Sequence, residues 1–311
     1  MKPAWSMIFF TTLSGTGQGL FITLAAVDAA QATGQAAGAG GTLFVAGAVL
    51  TVLLCGAGLV AATFHLGHPM RAWRAMSMWR TSWLSREVIV LPMFIAVAAV
   101  WGLARWTGAP TFALGLVGCA LALGLYLCTG MIYGAVAVIR EWATPLTPLS
   151  FAVMGLASGS LVAAALAAAL APALAGPLAA AALLATAAAA AVRGATLWRN
   201  ARLAPKTTLQ TALGIRHPRI VQTSQGMMGG SFGTREFVHG QTEQVVRLTR
   251  LGAALAGFML PAAGLALVAA QPGVGTLALL CVLQALGLLA ERWIFFADAQ
   301  HPQTLYHAAR A

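Results

Sequence analysis

The apolar positions of this chain collect into eight long runs, at about residues 5–29, 42–65, 87–106, 111–139, 149–170, 177–196, 251–270 and 275–296. A hydrocarbon layer of ~30 Å is crossed by about 20 helical residues rising 1.5 Å each, and every run is long enough or nearly so. The pattern predicts an all-α integral membrane protein: one domain over residues 1–311, built as a bundle of eight transmembrane helices.

The polar positions between the runs alternate in character. Lys2 precedes the first run, and Arg71, Arg74, Arg80 and Arg86 follow the second. Arg140 follows the fourth, nine more Lys and Arg lie at or beyond the end of the sixth, and Arg292 and Arg310 close the chain. The opposite gaps hold only Arg105. The positive-inside rule therefore places both termini and the even-numbered connections in the cytoplasm, N-in and C-in. The gaps on the other side, at 31–40, 169–177 and 271–275, are short and read as simple turns.

Two cytoplasmic connections are different. One runs from His65 to Glu87 and contains four Arg and three Trp. The other, from about Leu197 to Gln244, is too Gly-rich and polar to span, and its ~45 residues exceed a usual inter-helix loop. A docking role for a soluble partner is expected of this region (197–250), with Arg216, His217, Arg219 and Arg235 as contact residues there. Arg74 and Arg80 are the corresponding candidates in the first connection.

Composition narrows the class. A mean hydropathy of +0.82, with 8% charged and 59% apolar residues, excludes an ordinary soluble domain. The net charge of +11 would suggest nucleic acid in a soluble protein. Here it gathers on one membrane face, where anionic lipid and a partner subunit are the expected recipients. The first run is too long for the core of a cleavable signal peptide, so none is expected. Cys55, Cys119, Cys128 and Cys281 all fall inside apolar runs and form no CxxC pair, so neither zinc nor an iron–sulfur cluster is expected on this chain. His65 alone among the six histidines ends a predicted membrane helix, so a bis-His haem is not expected either.

Ionisable and amide side chains within membrane helices are functional candidates by default. Gln18 lies in the first run, His65 ends the second, Glu87 opens the third, and Gln284 and Glu291 share one face of the eighth, seven residues apart. His65, Arg71, Arg74, Arg86, Glu87, Glu291 and Arg292 all fall near the cytoplasmic interface. A quinol site needs an acceptor for each hydroxyl proton, a route to water, and an apolar cleft for the ring. His65 and Glu87 meet the first need, since imidazole and carboxyl groups are tunable toward neutrality. The structural alternatives are an interfacial anchor for each Arg and a helix C-cap for His65. Gly15-Thr16-Gly17-Gln18-Gly19 lies inside an apolar helix and is no phosphate loop. Gly15 and Gly19, four apart, read as a close helix–helix contact, and Gln18 beside them needs a partner, structural or ligand. A secondary transporter would want charged or broken helices at the midplane; Pro261 is a possible break in the seventh run, but it has no ionisable neighbour.

The run His65-Leu66-Gly67-His68-Pro69-Met70-Arg71-Ala72-Trp73, followed by Ser82-Trp83-Leu84-Ser85-Arg86-Glu87, resembles the signature of the dimethyl sulfoxide reductase anchor family. Glu291-Arg292-Trp293-Ile294-Phe295-Phe296 resembles that family's last helix. The opening Ser6 to Gly15, Thr208 to Ala212, and Gly229 to Phe237 are most similar to anchors of cytoplasmic membrane-bound sulfite dehydrogenases. The resemblance implies a three-subunit enzyme of the inner membrane. A molybdenum bis(guanine dinucleotide) subunit performs the chemistry, a subunit with iron–sulfur clusters relays electrons, and the haem-free anchor exchanges them with ubiquinone or menaquinone. It associates His65 and the residues after it, Arg71 included, with the quinone site. By position that role extends to Arg86, Glu87 and Glu291, with Gln18 as a further candidate. Partner subunits in the cytoplasm favour quinone reduction with electrons from sulfite. The alternatives are menaquinol oxidation by a dimethyl sulfoxide reductase-type enzyme, a secondary transporter, and an anchor that electrons bypass.

Overall fold

The computed structural model describes residues 1–35, 40–64, 66–204, 208–220, 239–268 and 272–302, which form helices and their connections with no strand among them. Eight helices have the length and apolar character to cross a membrane. They are α1 (Trp5–Ala32), α2 (Gly41–Thr63), α3 (Trp83–Thr107), α4 (Phe112–Gly134), α5 (Leu146–Leu170), α6 (Pro172–Asn200), α8 (Glu243–Val268) and α9 (Val274–Ala297). A short helix α7 (Leu209–Leu213) and a 3₁₀ segment (Pro69–Met78) lie in the two long connections. The chain is thus a multi-pass membrane protein with the expected number of spans. The even-numbered connections and the start of α1 share one end of the bundle, called the basic end below.

The helix limits follow local chemistry. Ser82 opens α3 by accepting a hydrogen bond from the Ser85 amide, and Gly108 closes it at φ 76°, a left-handed conformation that suits glycine. The sixth span starts at Pro172, not 177, because proline is tolerated in the first turn, where no intrahelical N–H bond is lost. It also runs on to Asn200, and α8 begins at Glu243, capped by Thr242. Both helices thereby extend into the long connection as amphipathic turns.

Helix α1 is central, packing against α2, α4, α5 and α9. Its crossing with α5 depends on missing side chains. A Cβ on Gly19 would sit 2.0 Å from the Gly155 carbonyl oxygen, and one on Gly159 would sit 2.2 Å from Leu20 N. The close helix contact expected of Gly15 and Gly19 is made here, with Gly15 at ordinary distance from Gly155. Tyr126 of α4 donates to the Gly15 carbonyl at 2.8 Å and completes the junction.

Pro261 has a visible consequence in α8. Proline lacks the N–H that would bond the carbonyl four residues earlier, and residues Leu255–Met259 form a π turn. That carbonyl belongs to Gly257, and Gln284 of α9 donates to it at 3.4 Å and to the Thr186 hydroxyl at 3.1 Å. Gln284 is therefore a structural clasp. Gln284→Leu is expected to lower stability by about 1–3 kcal/mol, since it strands two buried polar groups. Thermal unfolding of the purified protein in detergent checks this; an unchanged midpoint would contradict it.

Candidate functional site at the basic end of the bundle

Glu87 sits in the second turn of α3, only 3% exposed. The Thr129 hydroxyl of α4 donates to its Oε1. No Lys, Arg or His among the described residues lies within ion-pair distance of it. A buried carboxyl group without a cation is uncommon, because an unpaired buried charge is expensive. Such a group donates when protonated and accepts when not. Tyr133, one turn beyond Thr129, lies within electrostatic reach of both Glu87 and Arg292.

The neighbouring Arg86 is occupied differently. Its Nε donates to the Trp79 carbonyl at 2.9 Å, its Nη2 to the Arg80 carbonyl at 2.8 Å, and its guanidinium stacks on Trp83 at 4.2 Å. It tethers the first basic connection to the start of α3. Arg71 and Arg74 are exposed in the 3₁₀ segment and Arg80 in the turn after it; Arg74 and Arg80 lie over Trp73 and Trp79 at 5.7 and 5.4 Å. Beside them Met70 and Trp73 are 91% and 64% exposed, so this connection presents apolar and cationic groups together. Arg216, His217 and Arg219 are exposed after α7, where the Arg219 amide donates to His217 Nδ1 at 3.1 Å. His65 and Arg235 lie outside the described residues.

Glu291 is buried on α9 but pairs away from Glu87. Arg193 of α6 holds it at 2.9 Å, from a position that the sequence pattern assigns to the end of the sixth run. The adjacent Arg292 is buried without a carboxylate within ion-pair distance among the described residues. Its Nη2 donates to the Met154 sulfur at 3.0 Å, and its guanidinium stacks on Phe151 at 3.8 Å. Tyr133, Trp142, Phe151, Phe295 and Phe296 form the aromatic cluster around it. Gln18 is buried on α1, and its Oε1 has no partner among the described residues. It lines a small cavity with Ser14, Tyr126 and Thr129, and Thr129 is the residue that bonds Glu87. Thus Gln18 and Glu87 share one polar locality, Glu291 belongs to a second beyond Met154, and Arg71 and Arg86 belong to the surface.

A second polar centre at the opposite end went unread in the sequence. Asp28 of α1 is held by Arg105 at 2.8 Å, by the Trp101 indole N–H at 3.2 Å, and by the Thr111 hydroxyl at 2.6 Å. Thr111 stands at the N-cap of α4 without capping it, its hydroxyl being committed to Asp28. Near this centre an apolar groove of about 330 Å³ runs between α2 and α3, lined by Val45, Val49, Val52, Gly102 and Trp106.

The chain matches the family model described as DMSO reductase anchor subunit over residues 1–215. It is similar to a subunit of the sulfite dehydrogenase of Allochromatium vinosum, at 42% identity over all of both chains. It is also similar to the anaerobic dimethyl sulfoxide reductase chain YnfH of Escherichia coli, at 33% identity over 118 residues, 37% of this chain and 41% of that one.

Proposed function

This chain belongs to the DMSO reductase anchor subunit family, and on that premise we propose that it exchanges electrons with the quinone pool on behalf of two soluble partners. One partner is a molybdenum protein that holds the bis(guanine dinucleotide) cofactor, and the other is an iron–sulfur protein that relays electrons. The complex lies in the bacterial inner membrane with the basic end, both termini and the partner subunits in the cytoplasm. The full-length likeness to a sulfite dehydrogenase subunit supports electron flow from sulfite to quinone. The shorter likeness to a dimethyl sulfoxide reductase chain supports the reverse flow, from menaquinol, as the second reading.

The observation that carries the quinone role is Glu87: a buried carboxyl group with a hydroxyl partner and no paired cation among the described residues, at the end of the bundle that faces the proposed partners. A bound quinone supplies the two-electron carrier. Glu87 is suited to hold and move the proton that accompanies each electron. Thr129 fixes one carboxyl oxygen and leaves the other for the ligand. Three interior cavities among the described residues on this side measure about 10–20 Å³ each, a size that suits single waters and not a ring. The ring belongs instead against the exposed apolar residues that flank position 65, Phe64, Leu66 and Met70. Arg74 and Arg80, with Trp73 and Trp79, offer the iron–sulfur protein a mixed aromatic and cationic surface, the composition enriched in interface anchors.

Purification from the native membrane in mild detergent tests the assembly. Molybdenum and iron are expected to co-elute with the chain; elution alone, under conditions that preserve such complexes, would overturn the reading. In the intact complex, His65→Ala is expected to abolish quinone-coupled turnover and spare turnover with an artificial acceptor. Equal loss of both would indicate an assembly defect.

A further inference from the structure

Three small polar cavities follow one another across the basic half of the bundle. The first, about 20 Å³, is lined by Glu141, Asn200 and Asp298 near the surface and by the Arg193–Glu291 pair within. The second, about 10 Å³, is lined by Thr11, Thr12, Ser158 and Arg292. The third, about 10 Å³, is lined by Thr11, Ser14, Gln18, Tyr126 and Thr129. They share walls. Met154 lines the first and second, while Thr11, Gly15 and Phe151 line the second and third. Thr129, at the far end, donates to Glu87.

The polar atoms along this line are incompletely paired. Arg193 Nη2 in the first cavity, Thr12 Oγ1 in the second, and Ser14 Oγ and Gln18 Oε1 in the third are buried with no partner among the described residues. Stranding such atoms costs about 1–3 kcal/mol each, so a string of four in one half of a bundle is not accidental packing. A cavity of ~10–15 Å³ lined by several polar groups is what one water requires.

We infer that these cavities and hydroxyls form a proton route from the cytoplasmic surface at Glu141 and Asp298 to Glu87. The inference rests on the quinone reading above and adds the path by which Glu87 is reloaded. Reduction of one quinone to quinol takes two electrons, delivered by the iron–sulfur partner, and two protons. Each proton given up by Glu87 is replaced through the route by one from bulk water, and every intervening hydroxyl and water ends as it began. Five charged groups line the route: Arg193, Arg292 and Glu291 within it, and Glu141 and Asp298 at its mouth, where the two acids meet bulk water. A proton that Glu87 draws from its neighbour is replaced in turn along the cavities from that mouth.

The test uses the complete complex in proteoliposomes, with quinone-coupled and artificial-acceptor turnover measured in H₂O and D₂O. Thr11→Val keeps the shape and removes the hydroxyl shared by the second and third cavities. It is expected to slow quinone-coupled turnover about tenfold, a barrier increase comparable to one lost hydrogen bond, with KM for quinone unchanged. The solvent isotope effect is expected to rise, artificial-acceptor turnover to stay, and Thr11→Ser to restore the rate. Should Thr11→Val fail to assemble, Thr12→Val on the second cavity carries the same expectation. Unchanged quinone-coupled rate and isotope effect, in a preparation where Glu87→Gln does slow that rate, would overturn the route and leave the quinone reading standing. Insensitivity to Glu87→Gln itself would overturn both.

Discussion

Asp28→Ala is expected to destabilise the protein by about 1.5–3 kcal/mol, the usual worth of hydrogen bonds to a charged group and below the cost of breaking a fully buried pair, because Arg105 stays partly exposed. Asp28 accepts from groups on α3 and at the head of α4 while belonging to α1, so it joins three helices at the end opposite the basic one. Its loss strands the Arg105 guanidinium, whose Nε already lacks a partner among the described residues, against the ring of Phe44 at 4.1 Å. The packing there is otherwise dense, with Trp101 edge-on to Phe21 and Phe44 at 5.1 and 5.8 Å. Thermal unfolding in detergent measures the loss. The double variant Asp28→Ala/Arg105→Leu is expected to recover much of it, because no unpaired charge then remains. If the double variant is worse than the single by the full effect of Arg105→Leu alone, the two residues are not coupled.

The second large effect is expected at Glu87. Glu87→Gln retains an acceptor for the Thr129 hydroxyl and most of the shape, and removes a group that gains and loses protons. Quinone-coupled turnover of the complex is expected to fall by about 10²–10⁴, the usual contribution of a positioned acid–base group. Turnover of the partner subunits with an artificial acceptor is expected to remain. Glu87→Asp, shortened by one methylene, is expected to fall between the two. A Glu87→Gln complex that turns over quinone normally would remove the carboxyl group from the chemistry and leave it a packing role.

The eight spans were legible because the apolar runs are long and the gaps between them polar. Their limits were less so. Hydropathy reports where the hydrocarbon ends, while α6 and α8 continue beyond it as amphipathic turns through Arg199 and from Glu243. Glu87, Gln18 and Glu291 stood out in sequence as polar residues in apolar surroundings, and all three are buried. Their grouping did not follow from the chain. Depth along a helix places Glu87 and Glu291 near one interface, but only the rotation of each helix decides partners, and it gives Glu291 to Arg193. Thr129 and Met154 had no signal of their own, since a hydroxyl or a thioether in an apolar run reads as packing. Asp28 did have one: it is the only acidic residue before Glu87, and Arg105 the only basic residue outside the basic gaps. Two lone exceptions of opposite sign, each near the same end of its helix, are a pair that charge counting alone would have found.

The Asp28–Arg105 bridge also imposes an order on biogenesis. The carboxylate is made 77 residues before its counter-ion. A chain that holds only α1 and α2 has the acid without its cation. Asp28 gains its charge partner once α3 is in place, and its last hydroxyl partner once α4 has begun, so the four-helix corner closes only when all four segments have been made.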